Sequence, residues 1–127
     1  MLMKVLFLPV RLLTKPILLL MEYLFRGEQQ QRTDEEQQRV DEATRSMVLY
    51  QFRGCPFCVK VRRAIYRINL TIETRNANEE ARFKAELVTG GGRYQTPCLR
   101  IEEGGEVRWL YESNDIIAYL DQQFGVC

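Results

Sequence analysis

The chain has 127 residues and a formal net charge of +1. That length allows one compact domain with an appendage but not two full hydrophobic cores. The nearly neutral charge gives no overall field that would attract nucleic acid, so no nucleic-acid partner is expected. Histidine is absent, which excludes Ser-His-Asp and Cys-His nucleophile pairs and removes the most common metal ligand. Chemistry must therefore come from cysteines, carboxylates, amines, hydroxyls or the backbone.

Three zones of different composition follow one another along the chain. Residues 1–26 are dominated by Leu, Met, Val and Phe, and residues 27–46 are almost wholly polar and rich in Glu and Gln. Residues 47–127 have the pattern of a folded α/β domain. We therefore predict an N-terminal segment, a polar linker or helix, and one domain.

The first zone has its charges on one side of a helical projection, within about 60° of one another. They are Lys4, Arg11, Lys15, Glu22 and Arg26. These charges interrupt the apolar core that a secretory signal needs, and a central charge in a transmembrane helix costs about 2.5–3.5 kcal/mol. The stripe instead predicts an amphipathic helix on a membrane surface, kinked at Pro9 and Pro16. Two alternatives are that this helix packs on the domain or on a partner, and that it crosses the membrane at a tilt with its Lys and Arg side chains reaching the surface.

The second zone lacks the apolar periodicity needed for burial, which indicates a solvated helix or a flexible tether. Thr33 and Glu36 have the spacing of a capping box, and this favours a helix.

The third zone predicts the element order β-α-β-α-β-β-α. A strand–helix–strand opening requires a right-handed crossover and a parallel pair, and a hairpin at Gly104-Gly105 closes the sheet. The result is a four-stranded mixed sheet flanked by helices, the thioredoxin-type arrangement. Predicted strands cover 47–53, 70–75, 98–102 and 107–111, and predicted helices cover 59–69, 78–88 and 113–124. Gly90-Gly91-Gly92 is expected to form the turn after helix 78–88, and Ser113 is expected to cap helix 113–124.

The sequence Cys55-Pro56-Phe57-Cys58 lies between the first predicted strand and helix. Unpaired N–H groups and the positive end of the helix dipole favour the thiolate of Cys55, and the thiolate is the nucleophile. Cys58 lies one turn further on, where it can attack a mixed disulfide on Cys55. Half of a zinc site and a static disulfide are alternatives, but the sequence has no second CxxC and no histidine to complete a zinc site.

Three segments together resemble the glutaredoxin family, and especially the glutaredoxin-like N-terminal domain of glutathione S-transferases. They are GCPFCVKVRRAI at 54–65, QTPCLRI at 95–101 and LYESNDIIAYL at 110–120. The resemblance covers about residues 47–124. Where typical glutaredoxins have Gly-Gly after the last strand, this chain has ESND, which is similar to the transferase branch.

The resemblance implies a set of glutathione-binding residues around Cys55. Thr96 would offer its backbone to the cysteinyl part of glutathione, and Pro97 would be a cis-proline, although sequence alone does not establish the isomer. Glu112 and Ser113 would hold the γ-glutamyl end of glutathione. Glu112 would pair with its ammonium group, and the helix N-terminus at Ser113 would bind its carboxylate. Phe57 stands where the family has an aromatic residue. Three of these residues also have an ordinary structural interpretation: Pro97 as the start of an edge strand, Glu112 as a surface charge and Ser113 as a helix cap.

Four further residues near these motifs carry weaker expectations. Arg53 and Lys60 are basic residues that would lie near the site and steer glutathione. Cys98 is expected to be a buried thiol with little chemical role. Cys127 is terminal and a candidate for glutathionylation.

The predicted function is that of a glutathione-dependent thiol–disulfide oxidoreductase in the cytoplasm, peripheral on the inner face of a membrane. Glutathione is the expected co-substrate, no metal is expected, and the partner is a protein with a disulfide or a glutathione adduct. Proteins of this type also carry iron–sulfur clusters through one cysteine and glutathione, which makes a cluster carrier or interaction module the alternative. Conjugating transferase activity is not expected, because it needs a second, helical domain.

Overall fold

The computed structural model of the protein describes residues 16, 17, 19–21, 24 and 27–125. The predictions for the charged stripe of residues 1–26, for a kink at Pro9 and for Cys127 lie outside the described residues. The described residues between 16 and 24 have helical backbone, and their large apolar side chains are exposed. Among the described residues, no helix has both the length and the apolar character needed to cross a membrane.

Residues 27–125 form four α-helices, one π-helical turn and four strands, labelled here in chain order. The helices are α1 (Asp34–Thr44), α2 (Pro56–Ile68), α3 (Ala81–Glu86) and α4 (Ser113–Phe124), the π turn is Leu87–Gly91, and the strands are β1 (Met47–Gln51), β2 (Glu73–Asn76), β3 (Cys98–Glu103) and β4 (Glu106–Leu110).

The four strands form one mixed sheet in the order β2-β1-β3-β4. Strand β1 pairs parallel with β2 and antiparallel with β3. The β3–β4 pair is an antiparallel hairpin, whose turn residues Gly104 and Gly105 have φ of 57° and 82°. Two successive positive φ values are typical of a type I′ turn, which glycine adopts at no steric cost. This sheet with its flanking helices confirms the predicted thioredoxin-like fold.

The sheet is covered on both faces, which is why every residue of β1 is buried. One face carries α2 and α4, which pack on alternate strand residues such as Leu49 and Ile101. The other face carries α3 and the π turn, packed on Val48, Tyr50 and Cys98. Because side chains alternate along a strand, neighbouring residues of β1 and β3 serve opposite cores.

Several boundaries differ from the sequence prediction. Strand β1 ends at Gln51, and β2 begins at Glu73, because Leu70 enters the core from the α2–β2 loop. Helix α3 begins at Ala81 and continues as a π turn to Gly91. The last helix is capped by Glu112, whose side chain makes no capping hydrogen bond, so the prediction of Ser113 as the cap is corrected by one position.

The polar segment 27–44 lies against the domain. Thr33 is the N-cap of α1, and its Oγ1 accepts a hydrogen bond from the Glu36 amide at 3.3 Å. The backbone N–H of Gln30 donates to the Arg67 carbonyl at 2.8 Å. The Arg32 guanidinium donates to the Asn69 carbonyl at 3.2 Å. The segment is therefore held on the domain by hydrogen bonds to backbone carbonyls, which would be hydrated if the segment were a free tether.

Candidate active site

Cys55 is the residue that begins helix α2. Its backbone is extended, with φ −77° and ψ 123°, and Pro56 follows as the first helical residue. Proline fits this position because its missing N–H would have no partner in the first turn. The Cys55 carbonyl accepts the first helical bond, from the Val59 amide at 3.0 Å. The local sequence thus places the Cys55 sulfur at the positive end of α2.

The Cys55 side chain is partly exposed. Burial acts to raise its pKa, but the amides of Cys58 and Phe57, the Cys58 side chain and the Thr96 side chain lower the pKa by more. The net pKa of Cys55 therefore lies below that of an ordinary cysteine. The sulfur does not meet the geometry of a full capping bond, yet these donors lie close enough to stabilise its thiolate.

Cys58 has the opposite environment. It is 0% exposed and lies in the first turn of α2. Burial raises its pKa, and the neighbouring Cys55 raises it further, whereas hydrogen bonds involving Phe52 and Thr96 lower it without reversing the net rise. The pair therefore combines an accessible sulfur that ionises easily with a buried sulfur that holds its proton.

Thr96 lies near the two cysteines, and Pro97 follows it directly before β3. The Thr96–Pro97 peptide bond is cis, as the resemblance implied. Pro97 is buried at the start of β3. The buried Thr96 hydroxyl makes no full hydrogen bond within the described part of the chain, but it is near enough to both sulfurs to lower the pKa of each thiol.

Glu112 and Ser113 form the N-terminal end of α4, which lies beside the N-terminal end of α2. Lys60 links the two helices there, since its Nζ donates to Asn114 Oδ1 at 2.6 Å. Ser113 is buried at 9% exposure and Glu112 is exposed. The predicted glutathione residues of α4 thus stand at the same end of the domain as Cys55, and their role remains a prediction.

The other residues singled out from the sequence are placed as follows. Phe57 is 62% exposed beside the cysteines. Arg53 forms an exposed ion pair with Glu79 at 3.2 Å. Cys98 is fully buried on the α3 face of the sheet, where burial raises its pKa to about 12 despite a hydrogen bond with Tyr111. It is therefore a neutral core thiol at physiological pH, as predicted. No metal-binding group of three His, Cys, Asp or Glu side chains occurs among the residues that the structure describes.

Two tyrosines near the site were not identified from the sequence. Tyr94, which is 45% exposed, packs on the Phe52 ring at 5.4 Å between centroids. Tyr111 donates its hydroxyl to the Arg93 carbonyl at 3.1 Å and accepts from the Arg93 amide at 3.3 Å. Tyr111 is thus a positioning residue for the loop that leads to Thr96. The signal available in the sequence was their position: Tyr94 directly precedes segment 95–101, and Tyr111 lies within segment 110–120.

The fold has counterparts among solved structures. A mutant of the thioredoxin-like protein BC3987 aligns with a TM-score of 0.50 and 26% identity, over 61% of this chain and 91% of that chain. Maleylacetoacetate isomerase from Anaeromyxobacter dehalogenans, solved with bound GSH, aligns with a TM-score of 0.50 and 22% identity. The alignment covers 62% of this chain and 38% of the isomerase, so the chain spans well under half of that enzyme. A wheat glutaredoxin aligns with a TM-score of 0.48 and 20% identity, over 70% of this chain and 84% of that chain.

Sequence comparison gives the family. No curated protein sequence matches the chain significantly. The profile of the family described as "Glutathione S-transferase, N-terminal domain" matches residues 49–126, a range that contains the cysteine pair, the cis-proline and α4. Because this match covers more than half of the chain, the protein belongs to the glutathione S-transferase N-terminal domain family.

Proposed function

We propose that the protein is a glutathione-dependent thiol–disulfide oxidoreductase that acts through Cys55 and Cys58. The observation that carries the proposal is the contrast between the two sulfurs, one accessible at a helix N-terminus and the other buried one turn further on. Membership of a glutathione S-transferase domain family supports glutathione as the co-substrate. The isomerase of the same fold that was solved with bound GSH is compatible with that choice.

In the proposed reaction with a glutathionylated protein, the Cys55 thiolate attacks the glutathione sulfur of the mixed disulfide. A new S–S bond forms between Cys55 and glutathione, and the protein thiolate leaves and takes up a proton. The thiolate of a second glutathione then attacks the adduct, which releases Cys55 as thiolate and glutathione disulfide. One free glutathione is thus consumed in each cycle: its sulfur is oxidised to the disulfide level, the protein sulfur is reduced to the thiol, and the glutathione of the adduct stays at the disulfide level.

With a protein disulfide, Cys55 first captures one substrate sulfur and expels the other. Cys58 gives up its proton and displaces the bound sulfur, which leaves a Cys55–Cys58 disulfide. Two glutathione molecules then reduce that disulfide in two exchange steps. The low pKa of Cys55 makes it the better leaving group, so each step that releases Cys55 is favoured.

Glutathione itself is assigned to the surface around the pair. The Thr96 backbone would bind the cysteinyl part as an added strand does, next to the cis bond of Pro97. The α4 N-terminus at Ser113 would receive the γ-glutamyl carboxylate, and Glu112 its ammonium. Phe57 would cover the bound peptide from the solvent side.

The proposal is tested by glutathione-coupled reduction of hydroxyethyl disulfide in matched serine variants. Cys55→Ser removes the nucleophile, so activity should be lost. Cys58→Ser keeps the nucleophile and serves as the control: it should retain removal of glutathione from a glutathionylated peptide and lose dithiol reduction of a protein disulfide. Full activity of Cys55→Ser would refute the proposal.

We further propose that residues 1–26 hold the domain at the cytoplasmic face of a membrane. The sequence places four basic residues and one acidic residue in this segment among apolar ones, which suits a surface of anionic lipid. Flotation with anionic liposomes should recover the full chain and not a chain that begins at Gly27. Equal recovery of the two would remove this proposal.

A further inference from the structure

Tyr111 lies directly between strand β4 and Glu112, where the proposed glutathione surface of α4 begins. Its ring packs on the core cluster of the α3 face of the sheet, and this packing fixes the place of its hydroxyl. The hydroxyl donates to the Arg93 carbonyl at 3.1 Å and accepts from the Arg93 N–H at 3.3 Å. The Leu87 carbonyl, at 3.5 Å, is a second and weaker acceptor. A single hydroxyl therefore contacts the first residue of the π turn and the loop just after it.

The loop of residues 93–96 leads from the π turn to the residues before β3. Within the described part of the chain, its backbone makes no hydrogen bond to another main-chain group. The Tyr111 hydroxyl satisfies both backbone groups of Arg93, and the Arg93 guanidinium lies 5.2 Å from the centre of the Tyr111 ring. The other side-chain support is Tyr94, which packs on Phe52. The path of this loop therefore depends on side chains, and Tyr111 holds its backbone.

The Tyr111 hydroxyl also contacts the start of β3, through a hydrogen bond with the buried Cys98 thiol. The packing around the hydroxyl is close, since a Cβ at Gly91 would overlap it. Its two contacts flank Thr96, because Arg93 lies three residues before Thr96 and Cys98 lies two residues after it. The backbone is thus held on both sides of Thr96 by one side chain.

Thr96 has no comparable anchor of its own. Its hydroxyl is buried and makes no full hydrogen bond among the described residues, although it is close enough to the Cys55 and Cys58 sulfurs to act on both. A side chain without a partner takes its position from the backbone that carries it. The distance between the Thr96 hydroxyl and the sulfurs is therefore set by the loop that Tyr111 holds.

We propose that Tyr111 is a positioning residue of the thiol–disulfide reaction: its hydroxyl holds the backbone on both sides of Thr96 and so keeps the Thr96 hydroxyl beside the Cys55 sulfur. The inference rests on the proposed function, because it assigns a supporting residue to that reaction. Loss of the Tyr111 hydroxyl weakens the nucleophile while every group that contacts the sulfur is still present.

The first test measures the rate of Cys55 alkylation by iodoacetamide against pH in Tyr111→Phe, which removes the hydroxyl and keeps the ring. The midpoint of the profile should move upward by about 0.3–0.7 pH units, which lowers the rate below the midpoint about two- to fivefold. Tyr119→Phe is the matched control, because it removes a hydroxyl that makes an exposed contact with Glu103 at 3.4 Å. The control should leave the midpoint unchanged.

The second test separates an action through Thr96 from a general loosening of the fold. Thr96→Val removes the hydroxyl on which Tyr111 is proposed to act, so adding Tyr111→Phe to Thr96→Val should cause no further shift of the midpoint. An unchanged midpoint in Tyr111→Phe, a shift equal to that of Tyr119→Phe, or shifts that add in the double variant would overturn the inference. If wild type fails to cycle with glutathione while the two shifts remain coupled, the proposed function fails and the positioning of Thr96 by Tyr111 stands.

Discussion

Cys55 and Cys58 are three positions apart, yet the protein gives them opposite chemical properties. The difference arises from the helix start: the first turn directs its unpaired amides toward Cys55 and carries Cys58 inward against the sheet. Thr96 adds a hydroxyl from the loop before β3 that acts on both thiols. The difference between the pKa values of the two thiols is therefore set by only a few groups around them.

We expect Cys55 to be the thiol that reacts first with iodoacetamide, with a rate that rises as the pH increases through its pKa. Because that pKa lies below the ordinary cysteine value, the midpoint of the rate profile should lie below that of a free cysteine, near 8.5. The measurement is the alkylation rate against pH, followed by mass spectrometry of the Cys55 peptide. Thr96→Val should shift the midpoint upward, since it removes one stabilising hydroxyl. A wild-type midpoint at or above the free-cysteine value would contradict the assignment of Cys55 as nucleophile.

Much of the residue-level site could be predicted, because its chemistry depends on local sequence. A strand pattern before CPFC and a helical pattern after it were enough to place Cys55 at a helix N-terminus. Tyr111 could not be assigned in this way. Its function is to hold the Arg93 backbone 18 residues earlier, and such a contact exists only once β3 and β4 have formed.

At the scale of elements, the end of α3 shows where sequence patterns mislead. Gly90 and Gly91 predict a turn, yet the chain there continues as the π turn. The reason is packing: a Cβ at Gly90 would overlap the Trp109 ring, and one at Gly91 would overlap the Tyr111 hydroxyl. The glycines are needed for close approach to Trp109 of β4 and to Tyr111 just after it, and that need becomes apparent only when the sheet is assembled.

A second interaction between elements attaches α3 to the sheet. The Tyr50 hydroxyl donates to Glu86 Oε2 at 2.7 Å, and Arg75 Nη1 donates to the same oxygen at 2.6 Å. Burial acts to raise the pKa of Glu86, but these hydrogen bonds and the Arg75 charge lower it by more, so its net pKa is below the ordinary value. The Glu86 carboxylate therefore connects α3 to Tyr50 of β1 and to Arg75 of β2.

We expect Glu86→Gln to lower the free energy of unfolding by about 0.5–1 kcal/mol at pH 7, a modest value because the side chain is 35% exposed. A carboxyl whose folded pKa is depressed stabilises the protein above its unfolded pKa, near 4.3, and that stabilisation is lost as the pH falls through the folded pKa. Urea denaturation at pH 7 and at about pH 3.5 should therefore show a difference between the proteins that shrinks at the lower pH. Tyr50→Phe in a double-mutant cycle checks the coupling, and strict additivity would contradict it.

At the scale of the whole molecule, helices α2 and α4 run side by side, and each of their two ends has its own set of contacts. At the N-terminal end, Lys60 meets Asn114, next to the cysteine pair and the proposed glutathione site. Nearer the C-terminal ends of the two helices, Arg67 pairs with Asp121. The C-terminal end is closed by the polar segment 27–44. The segment thus occupies the end of the domain remote from Cys55, about 20 Å away along the 13-residue α2.

This arrangement could not be predicted from composition. Most of the segment is exposed, as its polar composition indicates, but Arg32 within it also binds carbonyl groups of the domain. Composition does not distinguish a polar side chain that binds carbonyl groups from one that is only solvated. The partners of Arg32, the Asn69 and Phe124 carbonyls, come from chain ends that only the assembled fold brings together. Orphan carbonyls at helix C-termini need donors, and a guanidinium supplies several from one side chain.

Arg32 is the residue on which this closure should depend most. Its Nη2 donates to the Phe124 carbonyl at 2.8 Å and its Nη1 to the Asn69 carbonyl at 3.2 Å, so one cation serves the C-terminal ends of both α4 and α2, where positive charge is favoured. Arg32→Ala should lower the free energy of unfolding by about 1–2 kcal/mol, and urea denaturation measures it. Arg39→Ala, on the exposed face of α1, is the matched control and should stay within about 0.5 kcal/mol of wild type. Because Arg32 lies at the end of the domain remote from the cysteines, the alkylation rate of Cys55 should not change. Equal stability of the two variants would mean that segment 27–44 does not hold the helices together in solution.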